Sequence, residues 1–279
     1  MGGVTCPARL GENAKNLAVA PCSEDCPNVW GAVPRPTLPR LVPPLRGHPA
    51  SGSQNLTRDP HAEKSFTDAR RSDLDSVVHM TRILLVRHAP TPETGDRLTG
   101  RAPGVTLDRK GREAARAAAE ALAGLDIEAV YSSPIERTME TAVLVARPHE
   151  MDPVVEPGLT EMDFGSWTGQ TLDSLRRLEA WQSVQMTPSR FRFPDGESFA
   201  EAQHRSVGSV ERIAGMHEGK TVVAVSHADI IKLVIAHYLG QALDLFQRLR
   251  ISTASISELR IDGDQPPVVV SINATGVVV

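Results

Sequence analysis

The sequence predicts an α/β sandwich with a mostly parallel central sheet, carried by residues 80–279. Three apolar runs of strand length stand at 82–87, 127–132 and 221–225, and segments with helical spacing separate them. Alternation of strands and helices is typical of a parallel sheet that is covered by helices on both faces. We therefore expect a three-layer α/β/α architecture.

The helices are predicted from their first residues and from their apolar spacing. Asp108 is a suitable N-cap for an alanine-rich helix over 109–123. Ser198 and Glu201 have capping-box spacing and open a helix to about residue 217. The remaining predicted elements are helices at 135–147, 171–184 and 228–239 and closing strands at 251–261 and 267–273.

Residues 1–79 differ in composition from the rest of the chain. They hold 10 of the 21 prolines and all three cysteines, and their stretch PRPTLPRLVPPL suits neither a helix nor a central strand. We predict a largely disordered or extended, proline-rich segment at 1–79, followed by one catalytic domain at 80–279. A polyproline-type docking segment and a true start at Met80 are the two alternatives.

Composition and charge exclude several classes of protein. The formal net charge is −4, which argues against non-specific binding of nucleic acid or of a membrane surface. No apolar run approaches the roughly 20 residues of a membrane span, and no secretory signal stands at the N-terminus. The odd number of cysteines, all near one end, does not indicate a disulfide framework. Cys22 and Cys26 alone are too few ligands for a zinc site. We expect a cytoplasmic protein without metal or cofactor; the oligomeric state is not indicated.

Three predicted strands end in polar, reactive residues. Arg87 and His88 end the first strand, Ser132–Pro134 end the second with Arg137 one helical turn later, and His227 ends the third. Ligands of an open parallel sheet bind beyond the carboxyl ends of its strands. We therefore expect these residues to meet in one crevice, although they lie far apart in sequence.

Six stretches in fixed order span nearly all of the last 200 residues and carry a family resemblance. They are LLVRHAPT (84–91), LTGRAPGVTLDRKGREAA (98–115), YSSPIERTMETA (131–142), LTEMDFGSWTGQT (159–171), FPDGESFAEA (193–202) and VVAVSHADIIKLV (222–234). Together they resemble the histidine phosphatase superfamily, whose fold is phosphoglycerate mutase-like. The likeness is greatest to the compact branch that includes α-ribazole phosphatase-like and actinobacterial probable phosphomutase proteins.

The resemblance implies a role for five residues. It makes His88 the nucleophile that attacks phosphorus, and it makes Arg87, Arg137 and His227 the groups that hold the phosphoryl oxygens. It gives Glu161 the role of general acid. These residue types suit the chemistry, because one guanidinium group can donate two parallel hydrogen bonds to phosphate oxygens and a neutral imidazole is a nucleophile. The resemblance further implies a substrate pocket lined by Thr91, Thr99 and Gly100.

Each of these residues also has a structural interpretation. His88 would be a buried core histidine, Arg137 a solvated helix charge, His227 a helix cap and Glu161 a solvated loop carboxylate.

Function has three alternatives at this stage. About 25 residues separate FGSWTG from FPDGES, which leaves less material for a lid than the long-chain mutases have. This favours a metal-independent hydrolase of small phosphorylated metabolites. A mutase and a non-catalytic phosphate-binding module are the alternatives.

Overall fold

A six-stranded sheet lies at the centre of residues 80–276, the part of the chain that the computed structural model describes. The predictions about residues 1–79 lie outside it. The strands are β1 (Thr81–Arg87), β2 (Ile127–Ser132), β3 (Val154–Val155), β4 (Thr221–Ser226), β5 (Ile256–Ile261) and β6 (Val268–Ala274).

The sheet order is β3-β2-β4-β1-β5-β6. The pairs β3–β2, β2–β4 and β4–β1 are parallel, whereas β5 and β6 extend the sheet as antiparallel strands. In the β1–β4 register, Arg87 lies opposite Ser226. The predicted mostly parallel sheet is therefore confirmed. Since β4 lies between β2 and β1, the carboxyl ends of these three strands are neighbours at one edge.

Helices cover both faces of the sheet. Ile83 and Leu85 of β1 face one apolar cluster, while Leu84 and Val86 face the other. This alternation follows from the two-residue period of a strand, and each fully buried aliphatic side chain contributes about 1.5–3 kcal/mol. The α-helices of the described residues are α1 (Arg109–Leu122), α2 (Glu136–Ala146), α3 (Leu172–Leu175), α4 (Glu179–Met186), α5 (Phe199–Met216) and α6 (Ala228–Tyr238). Helices α1 and α2 pack on one face, and α5 and α6 pack on the other.

Both predicted helix caps are present. The Asp108 carboxylate accepts a hydrogen bond from the Gly111 amide at 2.6 Å. At the start of α5, Ser198 and Glu201 form both bonds of the capping box.

The single helix predicted over 171–184 is wrong, because the chain forms α3 and α4 with a break between them. Leu175 and Val184 are both buried in the same apolar cluster. In one straight helix, positions nine apart point in roughly opposite directions at about 100° per residue. The break lets both side chains reach that cluster.

The closing strand predicted from residue 251 begins only at Ile256. A turn closed by a hydrogen bond from the Ser255 amide to the Ser252 carbonyl precedes it. Ala254 has a left-handed φ of 57° in this turn, which ends any extended conformation there.

A third apolar core, the aromatic cluster, lies beside the sheet. Phe193 is at its centre, with ring centroids 4.9 Å from Phe164 and 5.4 Å from Trp167. Phe199 of α5 lies 5.4 Å from the same ring. The cluster therefore anchors the loop 159–168, which carries Glu161, to the first turn of α5. None of the helices in residues 80–276 is long and apolar enough to cross a membrane.

Candidate active site

The residues that follow β1, β2 and β4 are held together by their backbones. The His88 amide donates to the Ser226 carbonyl at 2.9 Å, and the Ser133 amide donates to the Val225 carbonyl at 3.1 Å. The rings of His88 and His227 are buried, with centroids 5.3 Å apart. The sheet ladder thus continues past the strands and fixes the two imidazoles side by side.

Arg137, in the first turn of α2, lies between the two histidines. Its Nε is 3.4 Å from Nε2 of His88, and its Nη2 is 3.1 Å from Nδ1 of His227. The same Nη2 donates to the Gly100 carbonyl at 2.7 Å. Its buried Nη1 has no hydrogen-bond partner within residues 80–276. A buried guanidinium needs partners for its N–H groups, so this arrangement suits an anionic ligand.

Hydrogen bonds set the tautomer of His88. Its Nδ1 lies 2.8 Å from the Ala89 carbonyl, which can only accept, so Nδ1 carries the proton. Nε2 then presents its lone pair towards Arg137. Burial, followed by the charges of Arg137 and Arg87, lowers the pKa of His88 to about 3. The imidazole is therefore neutral at pH 7, with Nε2 available as a nucleophile.

His227 has the opposite tautomer. Its Nδ1 accepts from Arg137, and its Nε2 lies 2.9 Å from the Ser133 hydroxyl, to which it donates. Burial, followed by the positive charge of Arg137, lowers its pKa well below the ordinary value. His227 occupies the N-cap position of α6 but makes no side-chain capping bond. Its ring is aligned by Ser133 and Arg137 instead.

Glu161 is a buried carboxyl group in the loop 159–168. One oxygen accepts from the Met162 amide at 3.0 Å, and the other lies 3.7 Å from Nδ1 of His227. Burial and the negative charge of Asp229 raise its pKa to about 7, against the lowering effect of Arg137. Both protonation states of Glu161 are therefore populated near neutral pH, as general acid–base catalysis requires.

Arg87 ends β1 with its side chain largely buried. Its Nη1 donates to the Ile251 carbonyl at 2.8 Å, and its Nε has no partner among the described residues. Burial lowers its pKa, while the charges of Glu161 and Asp229 raise it. A guanidinium remains charged under such conditions, so Arg87 adds a second fixed cation to the site.

Gly100 contributes its backbone rather than a side chain. Its φ of 54° is left-handed, and an added Cβ would lie 2.8 Å from Cδ2 of Phe164. Only glycine fits this position without strain, and it places the carbonyl that holds Arg137.

The two predicted pocket threonines are engaged in local bonds. The hydroxyl of Thr91 lies 3.1 Å from that of Thr94, and the Thr99 hydroxyl donates to Glu93 at 3.0 Å. In this structure the two hydroxyls therefore stabilise the loop that follows His88.

Ser133 was expected at the shared crevice as one of the residues that end the second strand, and its hydroxyl lies 2.9 Å from Nε2 of His227. Sequence reasoning missed two other contributors to the site. Asp229 lies two residues after His227, at the start of α6, and its charge acts on Glu161. The Ala89 carbonyl is a backbone group, and no residue type identifies it. Residues 80–276 contain no group of three His, Cys, Asp or Glu side chains that could hold a metal ion.

Fold and site together define an α/β protein with two buried histidines and two arginines gathered at the carboxyl edge of its sheet. The chain belongs to the histidine phosphatase superfamily (branch 1), whose family model matches residues 83–275. The family predicted from the six sequence stretches is therefore confirmed.

Individual relatives agree with this membership. The bifunctional protein Rv2228c of Mycobacterium tuberculosis (strain ATCC 25618 / H37Rv) is 36% identical over 205 residues, which cover 70% of this chain and 54% of that protein. The chain thus spans about half the length of this relative. Phosphoserine phosphatase 1 of Hydrogenobacter thermophilus is 28% identical over 201 residues, covering 70% and 93%. The solved structure of Bacillus stearothermophilus YhfR is 28% identical with a TM-score of 0.64, covering 68% and 96%.

Proposed function

We propose that the protein hydrolyses phosphomonoesters without a metal ion and through a phosphohistidine at His88. One observation carries the proposal: His88 is a buried neutral imidazole, with Nδ1–H held by the Ala89 carbonyl and the Nε2 lone pair 3.4 Å from Nε of Arg137. Such a ring combines an unprotonated nucleophilic nitrogen with an adjacent cation that attracts the phosphate to it.

In the first step, Nε2 of His88 attacks phosphorus and the bond to the ester oxygen breaks. Arg87 and Arg137 stabilise the charge on the transferring oxygens, so the proposed mechanism takes its positive charge from guanidinium groups. His227 lies beside Arg137 in the same site and accepts a hydrogen bond from it. Phosphoryl transfer demands mainly positioning and electrostatic stabilisation, and the buried arginines supply both.

Glu161 acts as the acid and then as the base. Protonated, it donates to the departing alkoxide, which becomes the product alcohol. Ionised, it accepts a proton from the water that attacks the phosphohistidine, releasing inorganic phosphate and restoring His88. The pKa of about 7 supports both roles at neutral pH.

The proposed substrate class is a small phosphorylated metabolite. The name of the Hydrogenobacter relative, a phosphoserine phosphatase, supports phosphatase activity. The short connection between the stretches FGSWTG and FPDGES also favours hydrolysis. A mutase must exclude water from its phosphoenzyme, and this connection leaves little chain for a lid that would do so.

Hydrolysis of para-nitrophenyl phosphate tests the proposal. We expect turnover by the parent and its loss in His88→Ala, with unchanged turnover in His204→Ala, an exposed histidine of α5. Phosphate binding without turnover by the parent would favour a non-catalytic module. Conversion of 3-phosphoglycerate to 2-phosphoglycerate would favour a mutase.

A further inference from the structure

The stretch FPDGES has no role in the proposed chemistry, yet it packs directly on the loop that carries Glu161. The Glu197 amide donates to the Asp163 carbonyl at 2.9 Å. An added Cβ at Gly196 would lie 2.3 Å from that carbonyl, and one at Gly165 would lie 1.9 Å from the Pro194 carbonyl. Both glycines are therefore required by contact between two backbones.

The carboxylate of Glu197 gathers two arginines at this contact. Arg205 binds it with two nitrogens, at 2.8 and 3.0 Å, and Arg101 binds it at 3.1 Å. It also accepts from the Asp163 amide at 3.0 Å. Burial raises the pKa of Glu197, but the bonds from Arg205 and from the Asp163 amide outweigh burial and hold the pKa below its ordinary value. Glu197 is thus ionised, and its charge orients both guanidinium groups.

Both arginines also bind the backbone carbonyl of Glu161. Nε of Arg101 donates to it at 2.8 Å, and Nη2 of Arg205 donates to it at 3.1 Å. A further nitrogen of Arg205 donates to the Gly158 carbonyl at 2.9 Å. The carbonyl of Glu161 is therefore held by two guanidinium groups that Glu197 binds, one of which, Arg101, also lies 3.5 Å from the Asp163 carboxylate.

We propose that Glu197 is a positioning residue for the general acid and acts through Arg101 and Arg205 on the peptide unit of Glu161. The inference rests on the proposed function of Glu161. The Glu161 side chain has one backbone hydrogen bond, to the adjacent Met162 amide, so its placement depends on where its own backbone is held. A displacement of about 1 Å in a catalytic group can cost about 100-fold in rate.

Two substrates distinguish positioning of the acid from general structural support. An alkyl phosphate needs its leaving oxygen protonated, whereas para-nitrophenyl phosphate releases an anion that is stable without a proton. For Glu197→Gln we expect kcat/KM to fall about 10-fold on β-glycerophosphate and to change less than about twofold on para-nitrophenyl phosphate. Glu201→Gln is the matched control. This exposed carboxylate four residues away binds Arg192 but does not contact Glu161, and we expect no change with it on either substrate.

Glu161→Gln and the double variant complete the test. Glu161→Gln is expected to lower kcat/KM of the alkyl phosphate selectively, because kcat/KM includes formation of the phosphohistidine but not its later hydrolysis, in which Glu161 acts as the base. Adding Glu197→Gln should lower kcat/KM no further on that substrate, because both changes act through one group. If Glu161→Gln lowers kcat/KM equally on both substrates, the acid role itself is wrong. Glu161→Gln could be selective for the alkyl phosphate while Glu197→Gln lowers kcat/KM equally on both substrates or changes it on neither. That result would overturn the positioning role.

Arg101→Gln is a second variant that tests the same role if Glu197→Gln does not fold. Arg101 is more exposed, at 35% of its side chain, and Arg101→Gln leaves the Glu197–Arg205 pair intact. It removes one of the two bonds to the Glu161 carbonyl. We expect a smaller loss with the same selectivity for the alkyl phosphate, and equal losses on both substrates would contradict the proposal.

Discussion

Replacing Glu161 by Gln is expected to stabilise the folded protein above pH 7 while removing the proposed acid. Glutamine has the same shape but no charge, so it relieves the folded state of a buried carboxylate. Burial and Asp229 raise the pKa of Glu161 in the folded state from an ordinary 4.5 to about 7. Between pH 4.5 and about pH 7 the folded state therefore binds more protons than the unfolded state. The free energy of unfolding of the parent falls as pH rises through this range.

The size of the effect follows from this difference in pKa. Each pKa unit corresponds to about 1.4 kcal/mol, so an ionised Glu161 destabilises the folded state by about 3 kcal/mol above pH 7. Below pH 4.5 the group is protonated in both states and has no effect. Glu161→Gln should thus be more stable than the parent by about 1 kcal/mol at pH 5 and about 3 kcal/mol at pH 8.

Urea denaturation of parent and variant across pH 5–8 measures this difference. The lowered pKa values of His88 and His227 also change the stability of both proteins below pH 6.5. The difference in free energy of unfolding could instead be constant across this pH range, or it could favour the parent at pH 8. Either result would refute the raised pKa of the buried Glu161.

Three further predictions test other parts of the account. The kcat/KM of an alkyl phosphate should fall above about pH 7 as Glu161 loses its proton, while the kcat/KM of para-nitrophenyl phosphate should stay level over the same range. Gly100→Ala should lower the free energy of unfolding by at least about 1–2 kcal/mol for its left-handed φ, in urea denaturation, and should slow both substrates by displacing the carbonyl that holds Arg137. Residues 80–279 alone should fold and turn over para-nitrophenyl phosphate as fast as the full chain, and a clear loss of activity would assign a role to residues 1–79.

The meeting of His88, Arg137 and His227 was predictable because it follows from a rule about sheets. Polar residues at the ends of parallel strands share one edge, whatever their separation in sequence. The caps of α1 and α5 were predictable for a similar reason, since each depends on a side chain and an amide three residues apart.

Other features depend on contacts that no local pattern records. The break between α3 and α4 lets Leu175 and Val184 both reach one apolar cluster, and its position follows from the tertiary fold. The tautomer of His88 depends on the carbonyl of Ala89, a group that every residue has. Glu161 stands in a loop between short helical turns, so only the family resemblance pointed to it. Its pKa and its position depend on residues scattered between 87 and 229, which only the folded chain brings together.

Trapping the phosphoenzyme tests the central claim most directly. The full chain is mixed with a substrate carrying radioactive phosphorus, stopped within milliseconds in alkali, which preserves phosphohistidine, and digested with trypsin. Cleavage after Arg87 and Arg97 gives the peptide HAPTPETGDR, whose first residue is His88. We predict that the label is on this histidine and is absent in His88→Ala. Turnover without any labelled histidine, or label on a different residue, would contradict the account.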